Sequence, residues 1–287
     1  MTVPEITAFF DPETFTISYL AADPESGEAA VIDSVLDFDL VSGRTSTKTA
    51  DKLLRRVAEK GYRITWVLET HVHADHLSAA PYLRKKLNAK IAIGQQVSEV
   101  QQTFARIFNL EQEVGQKQRY FDHTFADGET FQLGGLQVEV LHTPGHTPAC
   151  VSYKIGDAVF VGDTLFMPDY GSARCDFPGG DAHKLFHSIR RLLSLPPETR
   201  LFMCHDYAPN GREPAWETTV LEQLASNIHI NESVTEEEFV AFRQARDATL
   251  DLPRLLLPSV QVNMRGGERP PPESNGVSYI KLPLDVF

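Results

Sequence analysis

Cysteine, basic charge and long apolar runs are all scarce in this sequence, and each shortage closes off a class of function. No run of about 18 apolar residues occurs, the length a helix needs to span a bilayer, so a membrane role is not expected. The three cysteines, Cys150, Cys175 and Cys204, are scattered, odd in number and free of Cys-x-x-Cys or disulfide spacing. A reducing, cytoplasmic compartment follows as the expectation, and the first residues carry no basic-then-apolar secretion signal. Lys and Arg number 27 against 39 Asp and Glu, a formal net charge of −12. A nucleic-acid partner, which calls for a basic face, is not expected. A large anionic substrate would need a local cationic pocket.

Histidine, by contrast, is concentrated. Residues 70–77, T-H-V-H-A-D-H-L, gather His71, His73, Asp75 and His76 directly after the apolar run 64–68, which reads as a buried strand. In an extended segment residues two apart point the same way, so His71 and His73 can face one ion together. Asp75 and His76 fall where a helix is expected to begin, with residues 78–83 continuing it. Imidazole and carboxylate are the ligands that borderline divalent metals select. A chance gathering of surface histidines is the bland alternative, and the tight spacing speaks against it.

At 287 residues, 42% hydrophobic and 23% charged, the chain has an ordinary globular composition, long for one domain and short for two. Residues 15–20 alternate, 24–27 turn, and 29–33 return as a hairpin partner. Residues 38–47 read as polar and irregular. Leu53, Leu54, Val57 and Ala58 predict a helix over 49–60, ended by Gly61. After the histidine segment come a helix to Leu87, a short strand over 91–93, then a helix and a polar loop within 95–125. Strand pairs are expected at 130–133 with 136–141 and at 151–154 with 158–161. A helix over 182–193 and a strand over 201–203 follow. Residues 217–230 and 236–248 read as helices, the second opened by Thr235 with acids in its first turn. Pro253, Pro258 and Pro270-Pro271-Pro272 mark a non-regular tail. Two β-rich halves with helices outside predict an α/β chain with a sheet-on-sheet core over 1–213. A helical extension and tail over 214–287 are expected to pack on it.

Each later strand runs into another candidate ligand. Residues 136–141 lead to His142-Thr143-Pro144-Gly145-His146, 158–161 to Gly162-Asp163-Thr164, and 201–203 to Cys204-His205-Asp206-Tyr207. Singly, each is more often a loop residue with its hydrogen bonds satisfied. Together, in order, at strand ends, they read as one site presented by a rigid sheet. On these residues the chain resembles the metallo-β-lactamase superfamily, which implies an αββα sandwich, two mixed sheets flanked by helices, with metal at one edge. The resemblance implies one metal site of His71, His73 and His146 and a second of Asp75, His76 and His205, bridged by Asp163.

A narrower resemblance rests on Gly162-Asp163-Thr164-Leu165-Phe166, on Ala173-Arg174-Cys175-Asp176-Phe177, on His205-Asp206-Tyr207 and on Asn263-Met264-Arg265. These are similar to segments of the persulfide dioxygenases of the ethylmalonic encephalopathy type, with Ala173 and Cys175 where that family carries Gly and Thr. The implied activity is oxidation of glutathione persulfide by O2 to sulfite and glutathione. The implied cofactor is one Fe(II) per subunit, held by His71, His146 and Asp163, with His73, Asp75, His76 and His205 orienting ligands and solvent around it. Arg174 and Arg212 are the candidate anchors for glutathione carboxylates, and Tyr170 and Tyr207 the candidate hydrogen-bond donors. Cys175 is either a reactive thiol or a packed small residue. The rival readings are a dinuclear thiolester hydrolase of the glyoxalase II kind, using a metal-bridging hydroxide, and a non-catalytic sulfur-carrier or sensor module. The sequence is compatible with a homodimer and sets no oligomeric state.

Overall fold

The computed structural model describes residues 3–114 and 120–286. The chain opens with β1 (Glu5–Asp11), β2 (Thr16–Ala22) and β3 (Glu28–Ile32), antiparallel neighbours. β2 alternates between two buried faces, Ile17, Tyr19 and Ala21 to one side and Leu20 and Ala22 to the other. Residues 38–47 are not irregular, as the polar sequence suggests: β4 (Val35–Asp39) and β5 (Arg44–Ser46) form a half-exposed hairpin there. Then α1 (Lys48–Lys60) stops at Gly61, whose φ of 68° is left-handed and whose N–H bonds the Ala58 carbonyl. β6 (Arg63–Leu68) delivers the histidine segment. That segment does not start a helix: β7 (Leu77–Ser78) pairs with β4 first, and α2 (Ala80–Leu87) begins only after it.

β8 (Lys90–Gly94) and β9 (His123–Phe125) flank α3 (Val97–Phe108) and the short α4 (Glu111–Val114). β9 stands inside the stretch read as polar loop; residues 115–119 of that loop lie outside the described residues. The second half is β10 (Thr130–Leu133), β11 (Leu136–His142), β12 (Val151–Ile155), β13 (Ala158–Phe160), α5 (Ala182–Leu193) and β14 (Arg200–Phe202). Residues 217–230 are not one helix, because β15 (Glu217–Thr219) pairs with β14 before α6 (Val220–Ser226) starts. α7 (Glu236–Asp247) opens with a capping box between Thr235 and Glu238. The tail is not wholly irregular either: α8 (Leu256–Asn263) accommodates Pro258 in its first turn, where a missing N–H costs nothing.

The strands make two six-stranded sheets, β1-β2-β3-β6-β8-β9 and β10-β11-β12-β13-β14-β15, beside the small β5-β4-β7 sheet. The sheets pack face to face over Tyr19, Ile32, Leu68 and Phe125 from the first and Val138, Val140, Tyr153 and Phe160 from the second. α1, α2, α3 and α8 cover the outer face of the first sheet, and α5 and α7 that of the second. The architecture is the expected α/β sandwich, helix–sheet–sheet–helix. Among the described residues no helix is long and apolar enough to cross a membrane.

Candidate metal centre

Direction decides where the site lies. β11 runs antiparallel to β12, β12 antiparallel to β13, and β13 parallel to β14, so β11, β13 and β14 all point the same way. Their exits carry His146, Asp163 and His205 to one edge of the second sheet. The exit of β6 meets them from the first sheet, where the Val151 N–H bonds the Thr70 carbonyl at 2.9 Å and Ile17 N–H the Cys204 carbonyl at 2.7 Å. Two glycines permit the approach. Gly162 has φ +54°, and a Cβ there would lie 2.6 Å from Thr70 Oγ1; Gly145 has φ +141°, and a Cβ there would strike the Leu185 backbone at 2.3 Å.

The edge brings three donors together. Donor atoms of His71, His146 and Asp163 all lie within 4.8 Å of one another, with Asp163 Oδ2 3.9 Å from His71 Nε2 and 3.7 Å from His146 Nε2. Both tautomers follow from neighbours. The Arg174 carbonyl can only accept, so His146 Nδ1 donates to it at 2.7 Å. Thr70 Oγ1 gives its proton to Asp33 Oδ2 at 2.9 Å, so His71 Nδ1 donates to Thr70 Oγ1 at 3.0 Å. In the neutral tautomer so fixed, each ring turns the lone pair of Nε2 toward Asp163. Burial, then the surrounding imidazoles, push the His71 pKa well below its ordinary value. His71 Nε2 and Asp163 Oδ1 are buried without a hydrogen-bond partner. Two imidazoles and a carboxylate, converging with orphaned donor atoms, fit a divalent metal ion.

The rest of the motif is arranged differently from the dinuclear sets. His71 and His73 are neighbours, ring centroids 4.0 Å apart. His73 Nε2, however, contacts Asp33 Oδ1 at 2.9 Å and Glu69 Oε2 at 3.3 Å. Burial opposes a charge on His73, but those two carboxylates outweigh it and raise its pKa well above the usual value. Among the described residues, no convergent set contains both His71 and His73, and none unites Asp75, His76 and His205; His73 groups instead with Asp75 and His76, with Cys204 and His205, or with Asp33 and Glu69. His205 Nε2 lies 3.3 Å from both Asp75 Oδ2 and Asp163 Oδ1. Burial, then His73, lower the His76 pKa to about 4.

A cavity of about 520 Å³ opens over Asp75, His146 and Asp163. Phe166 and the stacked pair Tyr170–Tyr207, centroids 4.7 Å apart, line it. The arginines depart from expectation. Arg174 lines the cavity, but its guanidinium grips Asp176 through Nε at 2.7 Å and Nη2 at 2.6 Å and donates to the Asp251 carbonyl. Arg212 is not among the lining residues; it is held between Asp169 and the buried Asp206, and braces the His205–Tyr207 loop. Cys175 is a packed thiol: it donates to Asp247 Oδ2, and burial, then Asp247, push its pKa up to about 12. Sequence reasoning passed over Arg246 and Arg254, exposed cations lining the cavity with no carboxylate at ion-pair distance among the described residues. Arg246 lies in α7 and Arg254 in the loop after it, and no sequence motif marks either.

This sandwich, with candidate metal ligands gathered at one edge, points to a class of protein. Residues 13–205 match the metallo-beta-lactamase superfamily, and the chain belongs to it. It is 58% identical over 292 residues to a probable metallo-hydrolase of Burkholderia pseudomallei, spanning 98% of this chain and 99% of that one. It is 51% identical to glyoxylase B2 of Dictyostelium discoideum, over 99% of this chain and 98% of that one. Likeness to the mitochondrial persulfide dioxygenase ETHE1 of Bos taurus is more distant, 31% over 92% of this chain and 89% of the relative. The crystal structure of ETHE1 from Myxococcus xanthus superposes with a TM-score of 0.74 at 30% identity, covering 92% of this chain and all (100%) of that one.

Proposed function

We propose that this chain is a non-haem iron(II) dioxygenase that oxidises glutathione persulfide with O2 to sulfite and glutathione, one iron being held by His71, His146 and Asp163. The observation that carries the reading is the convergence of those three donors within 4.8 Å while His73 is taken up by Asp33 and Glu69. Two imidazoles and one carboxylate on one face leave positions open for a sulfur ligand and O2, which suits iron(II). Similarity at 31% and 30% identity to proteins named ETHE1 supports it further. Bound iron would supply the redox chemistry; both atoms of O2 end on the terminal sulfur, and one water completes sulfite as glutathione leaves.

The chain's own residues bind and orient. Phe166, Tyr170 and Tyr207 line the reacting end with aromatic faces. Arg246 and Arg254 are exposed, cavity-lining guanidiniums with no carboxylate at ion-pair distance among the described residues, and would receive the carboxylates of glutathione. Hydrogen bonds through Thr70 and the Arg174 carbonyl keep His71 and His146 in the ligating tautomer.

A second reading, a dinuclear thiolester hydrolase, is favoured by the 51% identity to glyoxylase B2 and by the unpartnered buried atoms of Asp75, His76 and His205. One experiment separates the two. Iron-loaded protein given glutathione persulfide should consume one O2 for each sulfite released, glutathione alone should give no uptake, and S-lactoylglutathione should be cleaved slowly or not at all. Rapid thiolester cleavage without O2 uptake would establish the hydrolase instead.

A further inference from the structure

The Asn263-Met264-Arg265 segment lies far beyond residue 205, where the superfamily match ends. Its first residue nevertheless reaches into the histidine segment. Asn263 closes α8, is buried, and spends its whole amide on the backbone around Asp75. Its Nδ2 donates to the carbonyls of His73 at 2.9 Å and His76 at 2.7 Å, and its Oδ1 accepts from the Ser78 N–H at 2.8 Å. Carbonyls only accept, so the amide has one orientation that satisfies all three contacts.

The side chains of the bridged segment are anchored by Asp33, Glu69 and the core around Val72, and Asn263 serves its backbone. Residues 71–76 are neither helix nor strand, so their carbonyls gain nothing from a regular ladder. Asp75 stands between the two anchored carbonyls. Its carboxylate, 24% exposed, lines the cavity and lies 3.3 Å from His205 Nε2. The chain just after Asn263 is pressed against the same turn: at Gly267, with φ +86°, a Cβ would sit 2.9 Å from the Ser78 carbonyl.

We infer that Asn263 is a positioning residue for the turn carrying Asp75 and His76, holding Asp75 at the cavity floor, so that the C-terminal helix is a working part of the site. The inference concerns placement of the turn and holds for persulfide oxidation and thiolester hydrolysis alike.

Asn263→Asp keeps the shape and the Oδ1 acceptor but has no N–H to give. Asn263→Ser is the milder change, removing bulk but leaving one donor. In steady-state assays of whichever activity the wild-type chain shows, Asn263→Asp should lower kcat by about tenfold to a hundredfold. KM should stay within about twofold, and Asn263→Ser should fall between. Hydrogen exchange should quicken at residues 71–79 in both variants and stay unchanged in β2 and β12. Wild-type kcat in Asn263→Asp, with unaltered exchange at 71–79, overturns the inference. So does a loss of exchange protection across the whole chain in Asn263→Ser, with kcat falling only in step with the melting temperature, since Asn263 would then be a stability residue alone.

Discussion

Arg174 and Asp176 neutralise each other across a two-pronged ion pair, Nε to Oδ1 at 2.7 Å and Nη2 to Oδ2 at 2.6 Å, at the wall of the cavity. A substrate carboxylate competing for Arg174 would have to displace an internal one. Arg246 and Arg254 present no such obstacle. The double change to Gln at 246 and 254 is expected to raise KM for glutathione persulfide by about tenfold or more, with kcat and metal content unchanged. Arg174→Gln should move KM by about threefold or less. Initial-rate kinetics on the two variants decide it: the opposite ranking would return the anchor to Arg174.

Metal content tests the ligand set. Protein made under iron-replete conditions should carry about one iron per chain. His146→Ala should empty the site, whereas His205→Ala should leave most of the iron in place. Elemental analysis showing two zincs, lost together on His205→Ala, would point to the dinuclear centre.

His229 makes stability depend on pH. Burial, then the Arg243 and Arg246 guanidiniums, lower its pKa from 6.5 to about 4, and its Nδ1 accepts the Ser172 N–H at 3.0 Å. Between those values the unfolded chain binds a proton that the folded chain refuses, so this contribution is complete above 6.5 and is lost as pH falls toward 4. The loss amounts to roughly 1 kcal/mol per pH unit across that window. Asn at 229 can keep an acceptor but cannot titrate, so His229→Asn should flatten the fall in melting temperature between neutral and acid pH. An unchanged slope would mean that other groups dominate.

Gly145→Ala tests the close approach behind His146. The new methyl would meet the α5 backbone at Leu185, in a conformation L residues rarely adopt. A destabilisation of about 2 kcal/mol or more is expected, together with weakened metal binding, read by denaturant unfolding and metal titration.

The sequence was legible where local rules suffice. α1 ended at Gly61, α5 kept its apolar stripe, α7 carried its capping box, and the hairpins turned at glycine. It misled where long-range pairing overrode local pattern. β9 and β15 are three-residue strands whose partners are distant in sequence, and β7 exists only because β4 lies beside it. Strand-end residues His71, His146 and Asp163 were readable as a set because each sits in a marked motif. The resemblance set them apart from His73; the sequence did not show that His73 is taken up by Asp33, which arrives from the end of β3, together with Glu69 four residues before it. The pairing of Arg174 with Asp176, the exposure of Arg246 and Arg254, and the reach of Asn263 are likewise products of folding.

The meeting of two sheets at one edge has a mechanical consequence. His71 leaves the first sheet, and His146 and Asp163 leave the second. An ion gripped by all three would act as a rivet through the sandwich, fastening segments almost a third of the chain apart and shrinking the freedom of the unfolded polymer that must be gathered in. Occupancy of the centre would then govern how long the two halves stay clasped, and the same ion that performs the chemistry would serve as the molecule's clasp.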